Sequence, residues 1–289
     1  MRMIHPWNSS LHKALLLTGV ATVLAACETV GGRGNTPIDP EVYAAQQVNI
    51  SSLSDVVSRN PRDPEAYNTR GAAYARSGRF RDAIADFDAA TKIDPTFAKA
   101  YANRALAQER LGQTGQALGD YNRALQADPN YVAAYVGRGN LYRQSKQYSL
   151  ALADYEHALQ IDRGNAQALH NRGLTYQAQG QHQLAIADFT AATQYDVRAT
   201  PPYIARGMSY LALNDTKAAL DDFNLAVSLV PRSVEAWVGR GAGFEAAGDL
   251  ERARGSYARA LELEPENQQA KEAFRRVGGK YGESYSVTQ

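Results

Sequence analysis

A period of 34 residues, repeated six times between Pro64 and Asn267, constrains the fold of this chain more than any other feature. A chain with such a period builds one structural unit several times and stacks the copies, because each copy must bury its apolar face against a neighbour. The period is clearest at its twenty-fourth position, which is aromatic in every copy. These aromatic residues are Phe87, Tyr121, Tyr155, Phe189, Phe223 and Tyr257.

Within each copy, the apolar and small residues follow helical spacing. Positions 4, 7, 8 and 11 share one face of a first helix, and positions 20, 24 and 27 share one face of a second helix. Small residues at positions 8, 20 and 27 allow close approach of the two helices, while aromatic residues fill the gaps beside them. The first helix must end near position 15, where a left-handed residue is expected. That position carries Gly78, Gly112, Gly180, Asn214 and Gly248.

This pattern of aromatic and small residues resembles the tetratricopeptide repeat. The resemblance implies an all-α, right-handed α-solenoid of six helix-turn-helix repeats with a capping helix at each end. The six copies are residues 64–97, 98–131, 132–165, 166–199, 200–233 and 234–267. We expect the N-terminal capping helix at residues 50–63 and the C-terminal one at 268–278. Residues 279–289 lack periodicity, and we expect them to form a disordered tail.

The N-terminus has the composition of an export signal. Arg2 and Lys13 form a basic front, and the run from Ala14 to Ala26 carries no charge. A transmembrane helix needs about 20 apolar residues, so this run is too short to be one. The run ends in Leu-Ala-Ala followed by Cys27, the only cysteine of the chain, and this resembles the lipobox of bacterial lipoproteins. The alternative is that Cys27 is a chance thiol beside the cleavage site of an ordinary secreted protein.

The lipobox resemblance implies a lipid-anchored mature protein. Residues 1–26 would be removed as the signal peptide, Cys27 would receive acyl chains such as palmitate, and residues 27–49 would form a flexible tether. Two or more lipid chains give stable membrane anchoring. Glu28 follows the cysteine where an Asp favours retention in the inner membrane. We therefore expect the protein at the periplasmic face of the outer membrane.

Position 7, where the family usually has leucine, is arginine in all six copies, and position 23 is aspartate in the first five. These positions flank the interface between the two helices, which favours a ladder of partly buried ion pairs. The alternative is a row of cations that binds an acidic partner. The predicted pairs are Arg70–Asp86, Arg104–Asp120, Arg138–Asp154, Arg172–Asp188 and Arg206–Asp222. Copy six has Ser256 at position 23, so Arg240 should bond Ser256 or backbone carbonyls, or turn to solvent and contact a partner.

The first helices carry the candidate partner-binding residues, because the resemblance implies that positions 2, 5, 9, 12 and 13 face a concave groove. This groove should run from polar and mildly basic to apolar, which suits an extended or helical peptide. The apolar part should be an exposed patch of the kind that marks partner sites; the alternative is that it packs against the next copy. The candidates are Asn140, Arg143, His170, Leu174, Ile204, Met208, Leu211 and Arg240.

The composition disfavours catalysis, metal binding and nucleic-acid binding. The net charge is +1 with the signal included, and phosphate backbones demand a clear surplus of basic residues. One cysteine and three scattered histidines after residue 26 make no metal-ligand or catalytic motif, so we expect no enzyme activity, no cofactor and no metal. His170 is a polar groove residue or, alternatively, a ligand-binding or pH-sensing group.

Two classes of function fit these observations. The first is a periplasmic adaptor that binds peptides or protein partners of the cell-envelope machinery. The second is an assembly component, similar to the pilotin lipoproteins of secretin and pilus systems or to the repeat lipoprotein of outer-membrane-protein assembly. The architecture alone does not choose between them.

Overall fold

The structure is a computed structural model that describes the backbone of residues 40–280 and the side chains from residue 50 onwards. The predicted signal peptide, Cys27 and the first part of the predicted tether lie outside the described residues, as do residues 281–289 of the predicted tail. Residues 40–280 contain fourteen α-helices and no strand. The predicted all-α repeat fold is therefore confirmed.

The helices come in pairs that follow the period of the sequence. The capping helix α1 covers Pro40–Arg59, and α14 covers Gln268–Arg276. The first helices of the six copies are α2 (Pro64–Arg76), α4 (Ala98–Arg110), α6 (Val132–Gln144), α8 (Ala166–Ala178), α10 (Thr200–Ala212) and α12 (Val234–Ala246). The second helices are α3 (Phe80–Ile93), α5 (Thr114–Ala127), α7 (Tyr148–Ile161), α9 (His182–Tyr195), α11 (Thr216–Leu229) and α13 (Leu250–Leu263).

The turn between the two helices of a copy depends on a left-handed residue at position 15. Gly78 has φ 76° and Asn214 has φ 61°, and the other predicted glycines at this position adopt similar angles. The predicted left-handed turn is confirmed at all five positions. Copy three places Lys146 there with φ 58°, a conformation that a side chain with a Cβ atom adopts only at a cost.

The aromatic ring at position 24 fixes the distance between the helices of a copy. Tyr155 lies against Gly139, where a Cβ atom would stand 2.7 Å from the ring. Tyr121 lies against Gly137 of the next copy, where a Cβ atom would stand 2.4 Å from the ring. Each ring therefore lies so close to the facing glycine that any residue with a Cβ atom would clash there. The contact of Tyr121 with Gly137 packs one copy closely against the next.

The described residues form two compact units, 40–175 and 176–280, and helix α8 runs through the boundary. In the N-terminal unit, the first helices of successive copies contact one another, α2 with α4 and α4 with α6. The same contact joins α10 with α12 and α12 with α14 in the C-terminal unit. Within each unit, side chains on first helices of neighbouring copies are thus brought together.

The two capping helices agree to different degrees with the bounds predicted for them. Helix α1 begins at Pro40, ten residues before the expected start, so it extends into the stretch predicted as tether. Proline suits the first position of a helix, because its missing N–H group needs no partner there. Helix α14 ends at Arg276, within the expected range of 268–278, and Ala270, Phe274 and Val277 are buried.

Candidate partner-binding face

Arginine at position 7 binds the aspartate of its own copy through two parallel hydrogen bonds. Arg138 Nε donates to Asp154 Oδ2 at 2.9 Å, and Nη2 donates to Oδ1 at 2.6 Å. Hydrogen bonding to Asp154 raises the pKa of Arg138, so the guanidinium stays charged. The same fork occurs, at 2.6–2.9 Å, in three other copies, as Arg70–Asp86, Arg104–Asp120 and Arg206–Asp222.

In copies two, three and five, the third nitrogen of this arginine reaches the second helix of the preceding copy. Arg138 Nη1 donates to Asn122 Oδ1 at 2.7 Å, and Arg104 Nη1 donates to Asp88 Oδ1 at 2.8 Å. One guanidinium therefore ties together two helices of its own copy and one helix of its neighbour. The arrangement agrees with a structural ladder and leaves these arginines few donors for a partner. The fifth predicted pair, Arg172 with Asp188, stays a prediction.

Arg240 of copy six departs from its predicted alternatives. The Ser256 hydroxyl donates to the backbone oxygen of Arg252 at 2.9 Å. Arg240 stays half-buried, its Nε atom has no hydrogen-bond partner in the described chain, and its guanidinium lies over the rings of Trp237 and Phe244. Burial and the Arg252 charge lower the pKa of Arg240. The aromatic contacts hold it away from the open, solvent-directed position expected for partner contact.

The predicted exposed apolar patch is wrong for Ile204 and Met208. Their side chains are 9% and 5% exposed, and they belong to one hydrophobic cluster with Phe223. Leu211 is half-buried against the same cluster, and Leu174 is half-buried on helix α8. For Ile204 and Met208 the alternative left open in the sequence analysis, packing against the next copy, fits better, because their cluster includes Ala236 of copy six.

The N-terminal unit instead carries ordered polar groups on its first helices. Asn103 Nδ2 of α4 donates to Asn68 Oδ1 of α2 at 2.8 Å, and Asn68 is only 1% exposed. Lys99 Nζ lies 2.9 Å from Glu65 Oε1 on the same pair of helices. Buried polar groups that are hydrogen-bonded in this way stabilise one arrangement of neighbouring helices.

A second polar feature, which the sequence analysis missed, links positions 12 and 24. In copy two, the Tyr121 hydroxyl donates to Glu109, and burial raises the pKa of that glutamate. In copy six, the Tyr257 hydroxyl donates to Glu245 Oε2 at 2.7 Å. The copies with phenylalanine at position 24 carry Ala75, Gln177 and Leu211 at position 12. Copies two and six thus combine tyrosine at position 24 with glutamate at position 12, whereas the copies with phenylalanine at position 24 lack that glutamate. This correlation is visible in the sequence alone.

Copy three breaks this pairing, because it has tyrosine at position 24 but Arg143 at position 12. The Tyr155 hydroxyl therefore donates to Asn140 Oδ1 at 2.7 Å. Arg143 Nε is buried and, within the part of the chain that the structure describes, has no hydrogen-bond partner. Burial, together with the nearby Arg143 charge, lowers the pKa of His170 to about 4. The predicted residues Asn140, Arg143 and His170 thus lie together.

We call this group of residues the Arg143 cluster: Asn140, Arg143, Tyr155, His170 and Thr175. Thr175 is fully buried, and its hydroxyl donates to the backbone oxygen of Asn171 at 2.8 Å. Burial raises the pKa of the Tyr155 hydroxyl, and Arg143 and Thr175 act on it in the opposite direction. All five residues belong to the N-terminal unit. Between residues 50 and 280, no three side chains of His, Cys, Asp or Glu are grouped so that they could hold a metal ion.

Comparison with known families identifies the class of protein. Models of the tetratricopeptide repeat match residues 64–97, 98–131, 139–180, 166–196 and 204–276. The chain therefore belongs to the tetratricopeptide repeat family, and its class is that of a protein-interaction scaffold. The matches cover all six copies at least in part.

Two curated relatives match short stretches of the chain. Hsp70-Hsp90 organizing protein 2 of Arabidopsis thaliana is 33% identical over 48 residues, which are 17% of this chain and 8% of that protein. Small glutamine-rich tetratricopeptide repeat-containing protein 2 of Mycosarcoma maydis is 32% identical over 74 residues, which are 26% of this chain and 20% of that protein. The chain spans less than a quarter of either relative.

Solved structures with similar folds cover more of the chain. PilW, described as a widely conserved type IV pilus biogenesis factor, matches with a TM-score of 0.67 and 19% identity over 72% of this chain and 97% of that one. YrrB, described as a protein with an unusual peptide-binding site, matches with a TM-score of 0.53 and 23% identity over 65% of this chain and 97% of that one. At these identities the likeness is one of fold.

Proposed function

We propose that this protein is a membrane-anchored periplasmic adaptor that binds peptide segments or protein partners of the cell-envelope machinery. The observation that carries the proposal is the polar face of the first helices, where Arg143 Nε has no hydrogen-bond partner in the described residues. By contrast, the position-7 arginines of copies two, three and five bond both their own copy and the preceding one. The family's role as an interaction scaffold supports it. In this proposal the protein binds its partners and catalyses no reaction.

The anchor in this proposal is a lipid attached to Cys27. Among residues 40–280, no helix combines the length and apolar character that a membrane crossing needs. The lipobox resemblance supports attachment at the periplasmic face of the outer membrane. The test is radiolabelled palmitate with envelope fractionation: wild type should be labelled and membrane-bound, and Cys27→Ser should be unlabelled and soluble. Unlabelled wild type found free in the periplasm would refute the anchor.

Assembly of a secretin, pilus or outer-membrane-protein complex, as a pilotin-like protein does, is the second candidate. The fold likeness to PilW, a pilus biogenesis factor, supports it. The two candidates differ in the partner, because an adaptor holds proteases or cell-wall hydrolases and an assembly component holds secretin, pilin or barrel subunits.

Site-specific photocrosslinking in intact cells tests binding and separates the candidates. Benzoylphenylalanine placed at Gln144, which is exposed on first helix α6, should capture a partner. The same group at Glu156, exposed on second helix α7 of the same copy, is the control and should capture none. Mass spectrometry of the captured protein then identifies an adaptor or an assembly role. Equal capture at both positions would contradict a binding face on the first helices.

A further inference from the structure

Copy six keeps the arginine of the ion-pair ladder but not its aspartate. In copies one, two, three and five, the aspartate at position 23 accepts two hydrogen bonds from the arginine at position 7. Copy six has Ser256 at position 23, and its hydroxyl donates to the backbone oxygen of Arg252 at 2.9 Å. Position 23 therefore supplies no carboxylate to Arg240.

Aromatic rings hold the Arg240 guanidinium where the other copies hold theirs. Its Cζ atom lies 5.1 Å from the ring centre of Trp237 at position 4 and 5.3 Å from that of Phe244 at position 11. For Arg138 of copy three, the distances to the rings at the same two positions are 5.7 and 6.0 Å. Such cation–π contacts fix the guanidinium of copy six without a carboxylate.

The charges around Arg240 do not balance. The neighbouring charge that acts on it is the cation Arg252, and burial together with this charge lowers the pKa of Arg240. Two acidic residues of copy six bond other arginines: Asp249 Oδ2 accepts from Arg252 Nε at 2.6 Å, and Glu245 accepts from Arg276 at 2.6 and 2.9 Å. Arg240 Nε is buried without a partner in the described residues, a desolvation cost that a hydrogen-bonded anion offsets.

The surroundings of Arg240 limit the size of that anion. Two rings cover the guanidinium and Nε is shielded from water, which disfavours a protein segment. Arg240 as a whole is only half-buried, and the Arg252 side chain beside it is 59% exposed. A small ion can therefore reach the guanidinium from solvent.

We propose that copy six binds a small monovalent anion from solution, such as formate or chloride, between Arg240 and Ser256, in the place that the aspartate carboxylate occupies in the other copies. The site lies between the two helices of copy six and does not depend on the binding of a protein partner. Formate offers two oxygens to the guanidinium, as Asp154 does to Arg138. It should therefore act at a lower concentration than chloride, which is held by charge alone.

Thermal melting of the full-length protein in sodium formate or sodium chloride, in a zwitterionic buffer, tests the proposal. An anion that binds the folded state should raise the melting temperature of wild type by about 4 °C at about ten times its dissociation constant. Ser256→Asp is the matched control, because it supplies the carboxylate from the chain. This variant should melt at a higher temperature than wild type without added anion, and its melting temperature should not show the additional rise.

Two further variants assign the response to the arginine at position 7. Arg240→Leu removes the cation and should lose the anion-dependent rise. Asp222→Ser gives copy five the arrangement of copy six beside Arg206, so it should gain a second anion-dependent rise, from a lower starting stability. Circular dichroism verifies that each variant is folded.

The Nε–H group of Arg240 gives an independent readout by NMR, because it is the donor that lacks a partner in the described residues. Its resonance, assigned by its loss in Arg240→Leu, should shift and saturate as formate is added to wild type. An equal rise in melting temperature in wild type and Ser256→Asp, or a resonance that does not respond, would overturn the anion site. Either result would leave the proposed function standing, because that function is tested by crosslinking on the first helices.

Discussion

Arg138 and Asp154 are joined by two hydrogen bonds across the helix pair of copy three, with side chains that are 20% and 5% exposed. An ion pair so well shielded from water is costly to break one partner at a time, because the other charge remains in place without compensation. The pair therefore offers a direct test of whether position 7 serves the fold.

We expect Asp154→Ala to lower the free energy of unfolding by about 3 kcal/mol. The double variant Arg138→Leu with Asp154→Ala should recover most of the loss, because apolar packing then replaces the pair. Urea denaturation of both single variants and the double variant measures the coupling. A coupling below about 0.5 kcal/mol, as for exposed pairs, would return the position-7 arginines to the candidates for partner binding.

Gly139→Ala should destabilise the protein, because the new Cβ atom would stand 2.7 Å from the Tyr155 ring. Overpacking of this kind costs about 1–3 kcal/mol. Gly119→Ala is the matched control, since nothing lies within 4 Å of its Cβ position in helix α5, and it should stabilise by about 0.5–1 kcal/mol. Thermal or urea unfolding measures both. Equal effects at the two glycines would argue against close ring packing.

Lys146→Gly should stabilise the turn of copy three. Lys146 adopts φ 58°, where four other copies have glycine, and release of the left-handed strain should contribute about 1 kcal/mol. Ser145→Gly serves as the control, because Ser145 has φ −81° and gains no relief. The melting temperature should therefore rise in the first variant and fall in the second. A fall in both would show that the lysine side chain contributes more than its backbone strain costs.

His170 should make the stability of the protein depend on pH. Its pKa is lowered to about 4 in the folded state and is near 6.5 when unfolded. Between these values the unfolded chain binds more protons, so stability falls as pH decreases from 6.5 towards 4, by at most about 3 kcal/mol. His170→Asn should remove this part of the dependence. Urea denaturation at several pH values compares the two proteins, and parallel profiles would contradict an imidazole that stays neutral in the folded state.

The period of the sequence determined the helical repeat, the turn residues and the ion pairs within a copy. All of these depend on residues that recur at fixed spacing and contact one another inside one copy, such as Arg138 and Asp154. Helical periodicity specifies which residues share a face, and that was enough for these features.

Tertiary structure decided what covers each face. Ile204 and Met208 occupy the same first-helix positions as polar residues in other copies, yet packing between helices buries them. Arg143 Nε has no hydrogen-bond partner in the described residues, and the two side chains that the following two helices place beside Arg143, Tyr155 and His170, are not carboxylates. A periodic pattern defines a face, whereas burial and electrostatic balance depend on which helices meet there.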